Sequence, residues 1–258
     1  MIRLYVDQPL APDTAITLST PAQHYLFTVM RVKDKGRLVL FNGRDGEWEG
    51  EALAHGRRGG ALRALALLRP QPPAPRLELI LALIKRHRLD AATEKAVELG
   101  VGAIRLVRTQ RTNADHVNLE RLGAIAREAA EQTGRLEVPE VHPPRPLEDL
   151  LRSLQGGAPL VFCDEAGDDP SAQWGGGHGR APPLLDALGG AGRARGDAVR
   201  VLIGPEGGFS PEERATLRAL PGVVPVSLGP RILRADTAAI CALALVQARL
   251  GDWSNEGA

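Results

Sequence analysis

Val201-Leu-Ile-Gly204-Pro-Glu-Gly-Gly208-Phe-Ser210 sets an apolar run of strand type directly before a Gly-rich turn. Ser210, Pro211 and Glu213 then follow in the pattern of N-cap, N1 and N3 of a helix, so the stretch reads as strand, turn, helix. Strand ends are where open α/β sheets bind ligands, and glycines there let a ligand reach the main chain. The stretch lacks the Gly-Lys-Ser/Thr of a Walker loop and the GxGxxG spacing of dinucleotide folds, which counts against nucleoside triphosphate hydrolysis. Taken alone, it serves a plain tight turn as well as a ligand loop.

Outward from this stretch, strands alternate with helices. Leu77–Ile84 reads as a strand, a helix runs through Leu99 to stop at Gly100, Ala103–Val107 is a strand, and a helix over Leu119–Thr133 stops at Gly134. Further strands are expected at Leu160–Asp164, Val199–Ile203 and Val223–Ser227, and a last helix over about 236–250. Such alternation predicts an α/β domain with a parallel sheet covered by helices. The segments Gly167–Pro183 and Gly189–Gly196, rich in Gly, read as surface insertions.

Pro70-Gln-Pro-Pro-Ala-Pro75 holds four prolines in six residues and divides the chain into residues 1–70, a stiff linker over 71–75, and residues 76–258. Before the linker, Ile2–Val6, Arg37–Phe41, Glu47–Ala54 and Ala61–Leu68 read as short strands, with turns at Asn42-Gly43 and Asp45-Gly46. Pro21–Met30 reads as a short helix with Thr20 as N-cap. The expectation is a small β-barrel domain.

The 258 residues are 43% hydrophobic, enough for a large core, which excludes disordered, collagenous and small disulfide classes. The formal charge of +1 hides an asymmetry: residues 1–135 hold 21 Lys and Arg against 15 Asp and Glu, the rest 11 against 16. A polyanionic partner should meet the first half. Only four of the 32 basic residues are Lys, and Arg suits bidentate phosphate contacts, although codon bias produces the same skew. Cys163 and Cys241 sit in apolar surroundings with no metal or redox motif, so both read as core thiols of a reducing compartment. No apolar run approaches the roughly 18 residues that span a bilayer. The reading is a soluble, cytoplasmic protein with no membrane and no metal.

Ser227-Leu-Gly-Pro-Arg-Ile-Leu-Arg234-Ala-Asp-Thr237 follows another strand and enters the last helix, a Gly-Pro loop with two Arg where an anionic or polar substrate can sit. Singly, Arg231 and Arg234 read equally as surface charges. Glu128-Ala-Ala-Glu-Gln-Thr-Gly-Arg135 ends a helix in polar groups.

Together these stretches resemble the bacterial small-subunit ribosomal RNA uridine-N3 methyltransferases, a family of the SPOUT superfamily. The residues that carry the likeness are Ile203–Ser210, Leu228–Arg234 with Thr237-Ala238, Glu128–Arg135, and Glu94-Lys-Ala-Val-Glu-Leu-Gly-Val101. His24-Tyr-Leu, Val29-Met-Arg31 and Phe41-Asn-Gly43 match the amino-terminal pattern. Where the family commonly reads Thr-Glu-Thr-Ala, this chain has Ala235-Asp-Thr-Ala238.

The resemblance implies an α/β fold with a SPOUT-type trefoil-knotted methyltransferase domain, preceded by a PUA-like β-barrel that binds RNA. It implies a homodimer, S-adenosylmethionine as cofactor, and ribosomal RNA, in the small subunit, as partner. It places the cofactor among Phe162 and Cys163, then Ile203, Gly204, Pro205, Glu206, Gly207 and Gly208, then Leu228, Gly229, Ile232, Leu233 and Thr237. Arg234 and Arg231 are then expected to stabilise the anionic uracil or flanking phosphates, and either Glu206 or Asp236 to accept the proton. Arg31, Lys85, Arg88, Arg111, Gln132 and Arg135 are expected to orient the RNA.

Overall fold

A computed structural model describes residues 1–54, 59–113, 116–154, 158–165, 181–189 and 196–253. Most of the two Gly-rich segments, residues 166–180 and 190–195, lies outside the described residues. The chain forms two compact units, one of residues 1–74 with 127–138, the other of residues 75–126 with 139–258.

The first unit is a five-stranded sheet of β1 (Arg3–Tyr5), β2 (Ala15–Thr17), β3 (Arg37–Phe41), β4 (Glu47–Ala54) and β5 (Gly60–Arg69), in the order β1-β3-β4-β5-β2. One core cluster takes Leu4 from one edge strand and Ile16 from the other, together with Leu38, Leu40, Trp48 and Leu62. A single cluster fed from both edges requires the sheet to curl around it, as alternate side chains all turn inward. Between β3 and β4, Asn42 Oδ1 accepts from the N–H groups of Arg44 and Asp45 at 3.0 and 2.9 Å, and the Trp48 indole N–H donates to the Asp45 carbonyl at 2.8 Å.

The expected helix over Pro21–Met30 needs correction. Ser19, not Thr20, is the N-cap: its hydroxyl accepts from Ala22 N–H, which leaves Thr20 and the donor-less Pro21 in the first turn of α1 (Thr20–Gln23). The chain then continues as a π-helix over His24–Val29. Strand β2 is only three residues long, too short to show a period in the sequence.

Arg3 ties the amino terminus to the end of α3 (Leu119–Thr133). Its guanidinium donates to the carbonyls of Ala130, Glu131 and Arg135 at 2.9, 3.1 and 2.9 Å, while Glu131 Oε1 accepts from Tyr5 N–H at 2.8 Å. A cation there satisfies the orphan carbonyls and the negative end of the helix dipole. Glu47 holds Arg3 and Arg69 together, and first the Arg69 hydrogen bond, then that of Arg3, outweighs burial to keep its carboxyl below its usual value of 4.5. A carboxyl lowered by folding adds stability above the unfolded value, and this is lost as pH falls through the folded value. We expect Glu47→Gln to remove part of the acid sensitivity of full-length protein below pH 4.5, read as a flatter dependence of urea stability on pH.

The second unit is a six-stranded, wholly parallel sheet of β6 (Leu77–Ala82), β7 (Ala103–Arg108), β8 (Glu140–Pro146), β9 (Leu160–Cys163), β10 (Val199–Ile203) and β11 (Val223–Val226), ordered β11-β9-β10-β6-β7-β8. Helices α2 (Arg86–Glu98), α4 (Leu147–Ser153), α5 (Leu184–Gly189), α6 (Pro211–Ala219) and α7 (Ala235–Leu250) complete it. Each strand feeds two cores by alternation. Leu79, Leu81, Val161, Cys163, Val201 and Ile203 pack with α2 and α7, whereas Ile80, Ala82, Phe162 and Leu202 pack with Phe209, Leu217 and α4. Strand β8 carries Pro143, Pro144 and Pro146, which argue against a strand in the sequence. The sheet accommodates them because β8 is an edge. Among the described residues, no helix is long and apolar enough to cross a membrane.

Candidate cofactor and substrate site

Strands β11, β9 and β10 are neighbours, so their carboxyl ends meet. In an open parallel sheet this end is where loops diverge and leave a crevice. A cavity of about 240 Å³ lies there, lined by Cys163–Glu165 at the end of β9, Ile203–Glu206 at the end of β10, Val226–Gly229 at the end of β11, and Arg231–Ala235 with Ala238 at the start of α7.

The loop after β10 is held in place by α6. Ser210 caps that helix and accepts from Glu213 N–H at 3.1 Å, while Glu213 returns a carboxylate oxygen to Ser210 N–H at 2.9 Å. The other Glu213 oxygen accepts from Gln110 N–H, just past β7, at 2.8 Å. The next residue, Arg214, grips the Asp164 carboxylate through Nε and Nη2, and Arg218, one turn on, adds a 2.8 Å bond. The end of β9 is thereby fixed to the helix that follows β10.

Two glycines are required by close approach. A Cβ on Gly204 would lie 2.6 Å from the Phe209 ring, itself edge-on to Phe162 with centroids 5.1 Å apart. Gly208 has φ of +67°, and a Cβ there would sit 2.6 Å from Glu165 Oε1. We expect Gly204→Ala to cost about 1–3 kcal/mol of stability by urea unfolding, because the buried ring has to move, and to weaken ligand binding in the cavity.

Burial pushes the Cys163 thiol well above its usual range, with Glu165 and Asp164 adding to the shift, so it enters the cavity as a neutral, apolar group. Arg231 and Arg234 stand exposed on the lining, and neither guanidinium makes a hydrogen bond or ion pair among the described residues. The site therefore combines an apolar wall of Ile203, Val226, Leu228 and Leu233 with two uncommitted guanidinium groups.

A family model described as RNA methyltransferase domain matches residues 71–247, and one described as RNA methyltransferase PUA domain matches residues 18–52. The ribosomal RNA small subunit methyltransferase E of Rickettsia conorii is 30% identical over 95% of this chain and 94% of its own. The chain belongs to the ribosomal RNA small subunit methyltransferase E family. Its amino-terminal unit is PUA-like and its second unit is the parallel sheet of a SPOUT-like methyltransferase. A Neisseria gonorrhoeae ribosomal RNA small subunit methyltransferase E, solved bound to S-adenosyl methionine, superposes with TM-score 0.79 at 26% identity, covering 98% of this chain and all of that one. A Legionella pneumophila protein solved with bound cofactor SAM gives 0.80 at 28%, covering 96% and 97%.

Within this methyltransferase-family chain, the cavity brings together eleven of the residues singled out by sequence: Cys163, Ile203, Gly204, Pro205, Glu206, Leu228, Gly229, Arg231, Ile232, Leu233 and Arg234. Phe162 does not line it, because β9 alternates and turns that ring to the opposite face, against Phe209. Gly207 faces away: its carbonyl accepts from Arg111 Nη1 at 3.3 Å. Gly208 and Thr237 lie outside the lining, as does Asp236, which is engaged by Arg88. Lys85 is exposed just before α2, Gln132 is exposed at the end of α3, Arg135 lies within ion-pair range of Glu137 at 3.8 Å, and Arg31 is exposed with φ of +55°. Asp164, Glu165, Val226, Ser227, Ala235 and Ala238 line the cavity although none was expected as a cofactor or catalytic residue. The signal for Asp164 was its place at the end of the apolar run Leu160–Cys163. Among the described residues, no three His, Cys, Asp or Glu gather as a metal site.

Proposed function

We propose that this protein transfers the methyl group of S-adenosylmethionine to N3 of a uridine in small-subunit ribosomal RNA. The observation that carries the reading is the cavity where the Gly204–Glu206 and Leu228–Arg234 loops meet, with Arg231 and Arg234 uncommitted at its lining. The residues fit the cofactor: apolar Ile203, Val226, Leu228 and Leu233 offer walls beside the polar backbone of the Gly204–Glu206 and Leu228–Arg234 loops. When bound, S-adenosylmethionine supplies a methyl group on a cationic sulfur. The new N3–carbon bond forms as the carbon–sulfur bond breaks, and N3 gives up its proton.

The protein's part is mainly alignment, since a near-attack geometry supplies roughly 7–11 kcal/mol, against about 10²–10⁴-fold from a positioned base. Arg234 stabilises the negative charge that develops on the uracil as its proton leaves, and Arg231 holds that charge or a flanking phosphate. Glu206, on the cavity lining, is the better placed proton acceptor, directly or through water. The amino-terminal unit adds RNA affinity through phosphate and shape contacts, because 3% aromatic residues leave little for a stacking platform.

We also read the carboxy-terminal segment as the trefoil knot of the superfamily, the protein as a homodimer, and the cytoplasm as its place of action. Convergence of the loops after β9, β10 and β11 supports the knot, and the exposed apolar Ile232 on the cavity lining and Ile240 on α7 support the dimer. The test is transfer of labelled methyl from S-adenosylmethionine to small ribosomal subunits from cells lacking the protein, followed by nucleoside analysis. Label in 3-methyluridine is expected. Label in another nucleoside overturns the atom assigned, and RNA binding without label makes the protein a non-catalytic RNA-binding factor.

A further inference from the structure

The start of α2 bonds to one cavity loop and to the first turn of α7, which follows the other. Arg88 Nη1 donates to both carboxylate oxygens of Asp236, at 3.0 and 2.9 Å, across 148 residues of sequence. The two side chains are only 18% and 21% exposed. Just before it, Lys85 N–H makes a long hydrogen bond of 3.4 Å to Glu206 Oε1. Glu206 lines the cavity on one side, and Arg234 and Ala235, immediately before Asp236, line it on the other.

Local helix physics does not explain this arginine. Arg88 lies in the first turn of α2, where the helix dipole opposes a cation, and α2 has neither a side-chain cap nor an acidic residue there. Asp236, in the first turn of α7, suits its own helix and offsets the charge of Arg88. An ion pair at this depth adds little net stability, yet removing either partner leaves a partly buried charge unmatched. Arg111 and Arg121 spend their guanidinium groups at the surface, on Gly207 and Asp90, whereas Arg88 spends its own on a residue adjacent to the cavity lining.

We propose that Arg88 and Asp236 are a positioning pair, which holds the start of α7, and through it Leu233 and Arg234, in the arrangement that receives the cofactor. Arg88 then is not an RNA contact and Asp236 is not the proton acceptor. This rests on reading the cavity as the cofactor site.

The test uses full-length Arg88→Ala, Asp236→Asn, their double variant and Asp236→Glu. Cofactor affinity is measured by calorimetry, RNA affinity by filter binding, and single-turnover rate as a function of pH. Each single variant is expected to weaken S-adenosylmethionine binding and slow turnover by about 10–100-fold, the double variant to be no worse than either, and Asp236→Glu to keep most of the affinity. RNA affinity and the shape of the pH profile should stay unchanged. Loss of RNA affinity in Arg88→Ala with cofactor binding intact overturns the proposal in favour of a phosphate contact. Loss of one limb of the pH profile in Asp236→Asn alone overturns it in favour of a proton acceptor. Reduced urea stability with unchanged cofactor affinity overturns it in favour of a structural bridge. Wild-type protein that binds no S-adenosylmethionine overturns the site reading, and the pair with it.

Discussion

Replacing Arg234 by alanine is expected to cut the single-turnover rate of methyl transfer by about 10²–10³-fold while leaving S-adenosylmethionine affinity within about threefold. The reasoning starts from what the other arginines do. Arg3, Arg69, Arg88, Arg121, Arg214 and Arg218 all have carboxylate or carbonyl partners within the chain, and each is thereby spent on the fold. Arg234 stands exposed on the cavity lining, with backbone φ and ψ of −66° and 152° that set it as the N-cap position of α7. Its guanidinium therefore breaks no bond of the fold when it turns toward a substrate, and alanine there removes no structural bond. A charge that appears only as N3 loses its proton is stabilised in the transition state more than in the ground state, so the loss falls on the rate rather than on binding. Arg234→Lys should recover part of the rate, because a point charge remains but the planar fork is gone. An unchanged rate in Arg234→Ala would remove this residue from the mechanism.

Asp164→Ala is expected to be the most damaging single change to stability, about 3–5 kcal/mol by urea unfolding. The Asp164 side chain is 1% exposed and receives Arg214, itself 8% exposed, and Arg218. Alanine would leave the Arg214 charge buried without a counter-ion and would cut the tie between β9 and α6 that fixes the Gly-rich loop. Cofactor affinity should fall together with stability, because Asp164 and the loop share the cavity lining. Arg218→Ala, which removes a side chain that is itself 27% exposed, should cost distinctly less. A loss below about 1 kcal/mol in Asp164→Ala would mean that Arg214 reaches water and that the loop is held by the Ser210–Glu213 capping box alone.

Much of the second unit was legible because each strand carries its own local signal. Val199–Ile203 and Leu119–Thr133 have the bounds expected from apolar runs closed by glycine or by a cap, and Ser210, Pro211 and Glu213 form the expected helix start. Strand β8 escaped because three prolines contradict a strand unless it lies at an edge, and edge position is a property of sheet order. Ser19 escaped because two adjacent hydroxyl residues compete for one cap, and only the position of Ala22 N–H decides between them.

By itself the sequence determined the family, the alternation of strands and helices, and the two loops that meet at the cavity, since these depend on residues close together in the chain. Tertiary structure alone decided which side chains of those loops are free. The parallel order β11-β9-β10 brings Cys163, Gly204 and Leu228 to one crevice while alternation turns Phe162 away. The same packing commits Arg88 to Asp236 and Arg214 to Asp164, but leaves Arg231 and Arg234 uncommitted. A charge finds its partner through space, and partners 148 and 50 residues apart leave no trace in local spacing.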